Sequence, residues 1–134
     1  MPSMLHNDDL GKLILRLAVA GLILFHGAAK LMNPDSMNWI ASLLARHDLP
    51  HFLAYGVLIG EVVAPVMVIV GWRARIAAIF MAGNMLVALF LAHTGELLTL
   101  KDSGGWALEL QGLFLFGALA LIFLGSGRMA VRPD

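Results

Sequence analysis

Several ionisable or amide side chains interrupt the long apolar stretches of this chain, and the types and positions of six of them are suited to chemistry. Ionisable groups in hydrocarbon are unfavourable by about 2.5–3.5 kcal/mol each at a helix centre, so they normally face inward and find partners. Imidazole, ammonium and carboxylate groups can hold or pass protons, and an amide can orient a ligand by hydrogen bonding. The set comprises His26, Lys30, Glu61, Asn84, His93 and Glu109.

The six residues fall at similar depths when each apolar stretch is read as a helix. Lys30 follows His26 by one helical turn on the same face, while Glu61 and Asn84 lie near the middle of their stretches. We therefore expect one polar cluster in the outer half of a helical bundle. Within it, Glu61, His26 and Lys30 are the candidate catalytic residues, and all six are candidates for binding a ligand or cofactor.

Pro65 is a second feature of the sequence close to Glu61. A proline has no backbone N–H, so it cannot donate to the carbonyl of Glu61 four residues earlier. The sequence thus predicts a weakened or bent helix beside the buried carboxylate.

Composition indicates the elements that position these groups. The 134 residues are 60% hydrophobic and only 13% charged, compared with roughly 45–50% and 25% in soluble domains. A formal net charge of zero disfavours nucleic acid as a partner. The absence of cysteine excludes disulfides, thiolate metal sites and iron–sulfur clusters. An integral membrane protein remains.

Four continuous apolar stretches, at about 10–31, 52–71, 76–92 and 106–127, are each close to the roughly 20 residues that cross a bilayer. They predict an all-α fold, a transmembrane four-helix bundle forming a single domain over residues 1–134. Residues 35–48 predict a short amphipathic interfacial helix with Asp35 or Ser36 as N-cap and Leu49-Pro50 after its end. A plain helical connector packed on the bundle is the alternative.

Basic residues near the stretches indicate orientation. Six on one side against three on the other place both termini in the cytoplasm of a multi-pass inner-membrane protein. We expect Arg16, Arg73, Arg75 and Arg128 to act as anchors at the membrane surface. The first side carries Lys12, Arg16, Arg73, Arg75, Arg128 and Arg132, and the second carries Lys30, Arg46 and Lys101.

Several of these elements together resemble the DoxX family over nearly the whole chain. One departure is Ala64-Pro65, which stands where small glycines usually follow the glutamate of the second helix. The similar elements are Arg16, Gly21, Phe25-His26-Gly27, Lys30, Leu49-Pro50, Glu61, Gly71, Arg73, His93 and Gly105-Trp106.

The resemblance implies a small four-helix protein of the bacterial inner membrane, with His26, Lys30, Glu61 and His93 as its polar residues. The family takes its name from a subunit of an archaeal thiosulfate:quinone oxidoreductase, and other members are linked to membrane redox complexes. We therefore expect a component of a membrane redox system that handles a quinone or similar apolar carrier. The bilayer and a protein partner or second copy of the chain are the expected partners.

Alternatives remain open at this stage, including whether the chain is an enzyme at all. A haem b between His26 and His93, or a divalent metal held with Glu61 and Glu109, is less favoured than a quinone, and no metal ligands are assigned. The chain could instead be a non-enzymatic membrane anchor, an assembly partner for another protein, or a small transporter subunit.

Overall fold

A computed structural model describes residues 5–92, residue 95 and residues 98–134, and the regular structure within these ranges is helical. Five helices follow one another along the chain. They are α1 (Asp8–Met32), α2 (Pro34–Arg46), α3 (His51–Val70), α4 (Ala74–Ala92) and α5 (Glu109–Leu124).

Three helices, α1, α3 and α4, are long and apolar enough to cross a membrane. The helix of the fourth apolar stretch, α5, has 16 residues, about 24 Å at a rise of about 1.5 Å per residue. It is shorter than expected at both ends. Trp106 pairs with Leu100 in an isolated bridge before the helix begins, and Gly125, with a φ of 76°, ends it.

The core lies where one face of each long helix meets the others. On α4 this face includes the small residues Ala74, Ala78 and Ala82, which are buried and allow close backbone approach. Large apolar residues such as Phe25, Phe116 and Phe123 cover the outside, as expected of a bundle surrounded by lipid.

The second helix, α2, begins earlier than the sequence suggested. The predicted N-caps Asp35 and Ser36 are wrong: the side chain of Asn33 accepts a hydrogen bond from the Asp35 N–H, and Pro34 is the first helical residue. Proline suits that position because its fixed φ is already helical and its missing N–H is not needed there. The apolar face of α2 is buried against α3 and α4, chiefly through Ile40 and Leu44, as the connector alternative expected.

Both described ends of the chain meet at one end of the bundle, called here the terminal end. The C-terminal segment, residues 125–134, folds back onto the end of α3. The Val131 N–H donates to the carbonyl of Val70, and the Arg132 N–H donates to the carbonyl of Gly71. The Arg128 N–H donates to the carboxylate of Asp9 at the start of α1. The opposite end of the bundle carries α2.

Candidate functional site

An ion pair between α1 and α3 forms the centre of the site. The ammonium of Lys30 donates to Oε2 of Glu61. The Glu61 side chain is 4% exposed and the Lys30 side chain 27% exposed. Each charge thus has an opposite partner, which a buried carboxylate requires.

A local irregularity in α3 carries the carboxylate. Residues Ile59–Val63 form a π-helical turn, in which the Ala64 N–H donates to the Ile59 carbonyl five residues earlier. The turn ends two residues before Pro65, which has no N–H to continue the regular pattern. One extra residue in a turn rotates the following side chains by about 100° relative to a regular α-helix. Such turns occur often at functional sites.

A glycine brings the two helices together at this point. A Cβ added to Gly27 would lie 2.1 Å from the carbonyl oxygen of Glu61 and 2.8 Å from a methyl of Val62. Only glycine fits this crossing without moving α1 or α3. Lys30 follows within one turn and therefore reaches the carboxylate from the neighbouring helix.

Two small cavities flank the ion pair. The first, called the Asn84 cavity, has a volume of about 120 Å³, and Trp39 of α2 and Asn84 of α4 line it together with Lys30 and Glu61. The second, called the His26 cavity, has a volume of about 110 Å³ and is lined by both charged residues and by His26. The pair is therefore open to small molecules on two sides.

The amide of Asn84 is incompletely bonded. Its Nδ2 atom is buried and has no hydrogen-bond partner within the part of the chain that the structure describes. The backbone of α3 passes close beside it, since a Cβ on Gly60 would lie 2.5 Å from Cβ of Asn84. Buried polar atoms are nearly always hydrogen-bonded in proteins, so this donor indicates a place for an acceptor from a ligand or water.

The His26 cavity reaches the outside of the bundle. The His26 ring stands edge-on to Phe114, with ring centroids 5.5 Å apart and the planes at 75°, and the residue is exposed. Gln111 of α5 lines the same cavity. The imidazole of His26 therefore borders both this cavity and the outside of the bundle.

The remaining candidates are located differently. Glu109 lies in the first turn of α5 and forms an ion pair with Lys101, with Oε1 and Nζ 2.5 Å apart and both side chains about half exposed. It lines neither the Asn84 cavity nor the His26 cavity. His93 lies outside the described residues. Within the described ranges no three His, Cys, Asp or Glu residues are grouped as metal ligands.

Two lining residues were missed by the sequence reasoning. Gln111 is an amide within an apolar stretch, and its polarity was a usable signal. Trp39 gave no signal, because a tryptophan on an amphipathic helix is also typical of a membrane interface.

A second buried charge lies at the terminal end, and it differs from the expected surface anchor. Arg16 is fully buried, so the expectation that it reaches the membrane surface is wrong. Its guanidinium donates to the carbonyls of Val68 (2.9 Å) and Ile69 (2.8 Å) in the last turn of α3. It also donates to those of Ser126 (3.1 Å) and Met129 (2.7 Å) in the C-terminal segment. Carbonyls at a helix C-terminus lack N–H donors from the helix itself. The guanidinium of Arg16 supplies the missing donors.

A glycine makes room for the guanidinium of Arg16. Gly71 ends α3 in the left-handed region, with a φ of 78°, and a Cβ there would lie 2.7 Å from Nη2 of Arg16. Arg75 acts similarly nearby, because its Nη1 donates to the last-turn carbonyls of Ile122 and Phe123.

Comparison with known proteins identifies a family that this chain matches. A family model described as DoxX matches residues 11–94, well over half of the chain. The match includes both members of the ion pair and Asn84. No curated protein and no solved structure matches the chain significantly.

Proposed function

This chain belongs to the DoxX family of membrane proteins, and on that premise we propose that it binds a quinone or similar apolar carrier at the Lys30–Glu61 ion pair. In this proposal the chain is a component of a membrane redox system. The observation that supports it is the position of the pair, which faces a cavity on each side and has an unbonded amide beside it.

The proposed topology has four crossings, with α5 as the fourth, and both termini in the cytoplasm. It is supported by the basic residues of the terminal end, among them Lys12, Arg73 and Arg128, which follow the positive-inside pattern of inner-membrane proteins. The ion pair would then lie in the outer half of the bilayer.

The chemistry of the pair suits both forms of a quinone. An ammonium has three N–H donors, and Lys30 uses one of them on Glu61, so others can bond a quinone carbonyl. The Glu61 carboxylate can accept a hydrogen bond from the hydroxyl of a quinol. Reduction adds two electrons and two protons to the quinone. In the proposal a redox-active partner protein supplies the electrons, Lys30 delivers protons to the ring, and His26, which lines the cavity on the other side of the pair, returns protons to Lys30.

The test is quinone binding by the purified protein in lipid nanodiscs. Trp39 lines the Asn84 cavity, so its fluorescence should be quenched saturably by a decyl-tailed benzoquinone. Glu61→Gln keeps the shape but removes the charge that holds Lys30 in place, and should weaken binding about tenfold, the loss of one charge-assisted hydrogen bond.

Glu109→Gln is the matched control, because it removes an acid that is about half exposed and paired with Lys101. It should leave quinone affinity unchanged. Saturable binding that is equally strong in Glu61→Gln and wild type would refute the proposal. It would favour the alternative in which the ion pair fixes helix register in a membrane anchor or assembly partner.

A further inference from the structure

An apolar groove with a volume of about 510 Å³ lies where α2, α3 and α4 meet. We call it the glycine groove, because Gly56, Gly60 and Gly83 contribute no side chains to its floor. Large apolar side chains such as Leu53 and Phe80 form its walls.

The glycine groove joins the Asn84 cavity. Asn84 lies at the junction because it lines both spaces, and its Nδ2 atom is buried without a hydrogen-bond partner in the described part of the chain. The lining residues common to the two are Ile40, Val57, Asn84, Val87 and Leu91.

The sizes of the two spaces indicate how an occupant would use them. Small-molecule sites usually measure about 300–1,000 Å³, and the Asn84 cavity alone, at about 120 Å³, is too small for a complete lipid-soluble ligand. With the glycine groove added, the combined space falls within that range. The polar part lies at the ion pair, and the apolar part opens toward the surroundings of the bundle.

We propose that the glycine groove holds the hydrocarbon tail of the quinone and admits the quinone laterally from the bilayer. This inference rests on the proposed function. The quinone ring occupies the Asn84 cavity, where a carbonyl oxygen accepts a hydrogen bond from Nδ2 of Asn84. The tail lies over Gly56 and Gly83 and replaces lipid chains there.

The alternative occupant of such a groove is a helix from a second copy of the chain, since small residues favour helix packing in membranes. A packed apolar helix face would leave the Asn84 donor unbonded, which is unfavourable for a buried polar group. A ligand with a carbonyl head and an apolar tail satisfies both parts of the space.

The glycines permit a direct test. A Cβ added to Gly56 or Gly83 meets no atom within 4 Å, so leucine at either position should fill the groove without displacing the described part of the chain. Gly21 on α1 is equally open and lies outside the groove, so Gly21→Leu is the matched control.

The experiment compares two quinones with the same ring in nanodiscs, one with a decyl tail and one with a single isoprene unit. In Gly83→Leu we expect affinity for the decyl quinone to fall roughly tenfold, because the leucine side chain occupies the space of the tail and removes its van der Waals contacts with the groove. Affinity for the short-tailed quinone should change by less than about twofold, since the hydrogen bonds to its ring persist. Gly21→Leu should change neither value, and Gly56→Leu should repeat the Gly83→Leu result and serves if that variant does not fold.

Each contrary outcome has a distinct meaning. Unchanged affinity for the decyl quinone in both groove variants would overturn the tail site but leave the proposed function standing. Failure of the wild type to bind either quinone would remove the proposed function as well. A change of oligomeric state in Gly83→Leu, measured by native mass spectrometry, would assign the groove to a second copy and overturn the inference.

Discussion

Two buried charged sites, one at each half of the bundle, differ in how completely they are bonded. At the terminal end, Arg16 is fully buried and gives four hydrogen bonds to backbone carbonyls. In the other half, Lys30 and Glu61 bond each other, with a cavity on either side and the free amide of Asn84 nearby. We call the Arg16 site the closed site, because its hydrogen bonds are made within the fold. We call the Lys30–Glu61 pair with its two cavities the open site.

This difference shows why a charge inside a membrane bundle is not by itself a sign of function. A polar group whose bonds are all made within the fold rigidifies that fold. One that adjoins empty space and an unbonded donor is prepared for a molecule that is not part of the chain. Arg16 therefore has a structural role at the terminal end, whereas the Lys30–Glu61 ion pair is the candidate ligand-binding site.

The largest expected effect on stability comes from removing the guanidinium of the closed site. Arg16→Met leaves carbonyls of α3 and the C-terminal segment without donors, and should lower the free energy of unfolding by about 3–5 kcal/mol. The measurement is denaturation in detergent followed by circular dichroism. Arg75→Met is the control, because this exposed arginine should contribute about 1 kcal/mol or less. Equal losses in the two variants would remove the distinction between closed and exposed arginines.

A smaller effect is expected from separating the two helices that carry the open site. Gly27→Ala places a methyl against the Glu61 carbonyl, and overpacking of this kind should lower the free energy of unfolding by about 1–3 kcal/mol. Quinone affinity should fall with it, since Lys30 moves away from Glu61. Gly21→Ala, where the methyl meets open space, should preserve both. Normal stability of Gly27→Ala would contradict the close crossing of α1 and α3.

The smallest expected effect on stability is opposite in sign. Asn84→Leu keeps a branched side chain but removes the buried donor that lacks a partner, so the free energy of unfolding without ligand should rise by up to about 1 kcal/mol. Affinity for both quinones should fall, because a hydrogen bond to the ring is lost. A destabilised Asn84→Leu protein would mean that the amide is bonded within the fold, and the open site would be closed after all.

Sequence reasoning assigned Lys30 and Glu61 to one polar cluster because the rise per residue of a helix is fixed. It could not supply the rotation of each helix. Glu109 shows the consequence: α5 begins at this residue, later than the apolar stretch suggested, so its carboxylate lies in the first turn and bonds Lys101. The spacing of residues along the sequence determines how deep a side chain lies in the membrane. The direction in which that side chain points depends on how the helices pack.

Arg16 was misread for a related reason. Its partners are backbone carbonyls 52 to 113 residues away, and a carbonyl has no sequence signature. The positive φ of Gly71, which lets the chain end turn over the guanidinium, also follows from the tertiary fold. A basic residue near the end of an apolar stretch therefore suits an anchor and a buried cap equally well.

The most direct test of the open site is whether quinone stabilises the protein through it. A ligand that binds only the folded state raises the midpoint of thermal unfolding. The decyl-tailed quinone should raise it in wild-type nanodiscs and raise it by markedly less in a folded Lys30→Met/Glu61→Gln variant, in which the cavities remain without the charges. An equal rise in both proteins would contradict the account, because the quinone would then be bound without the ion pair.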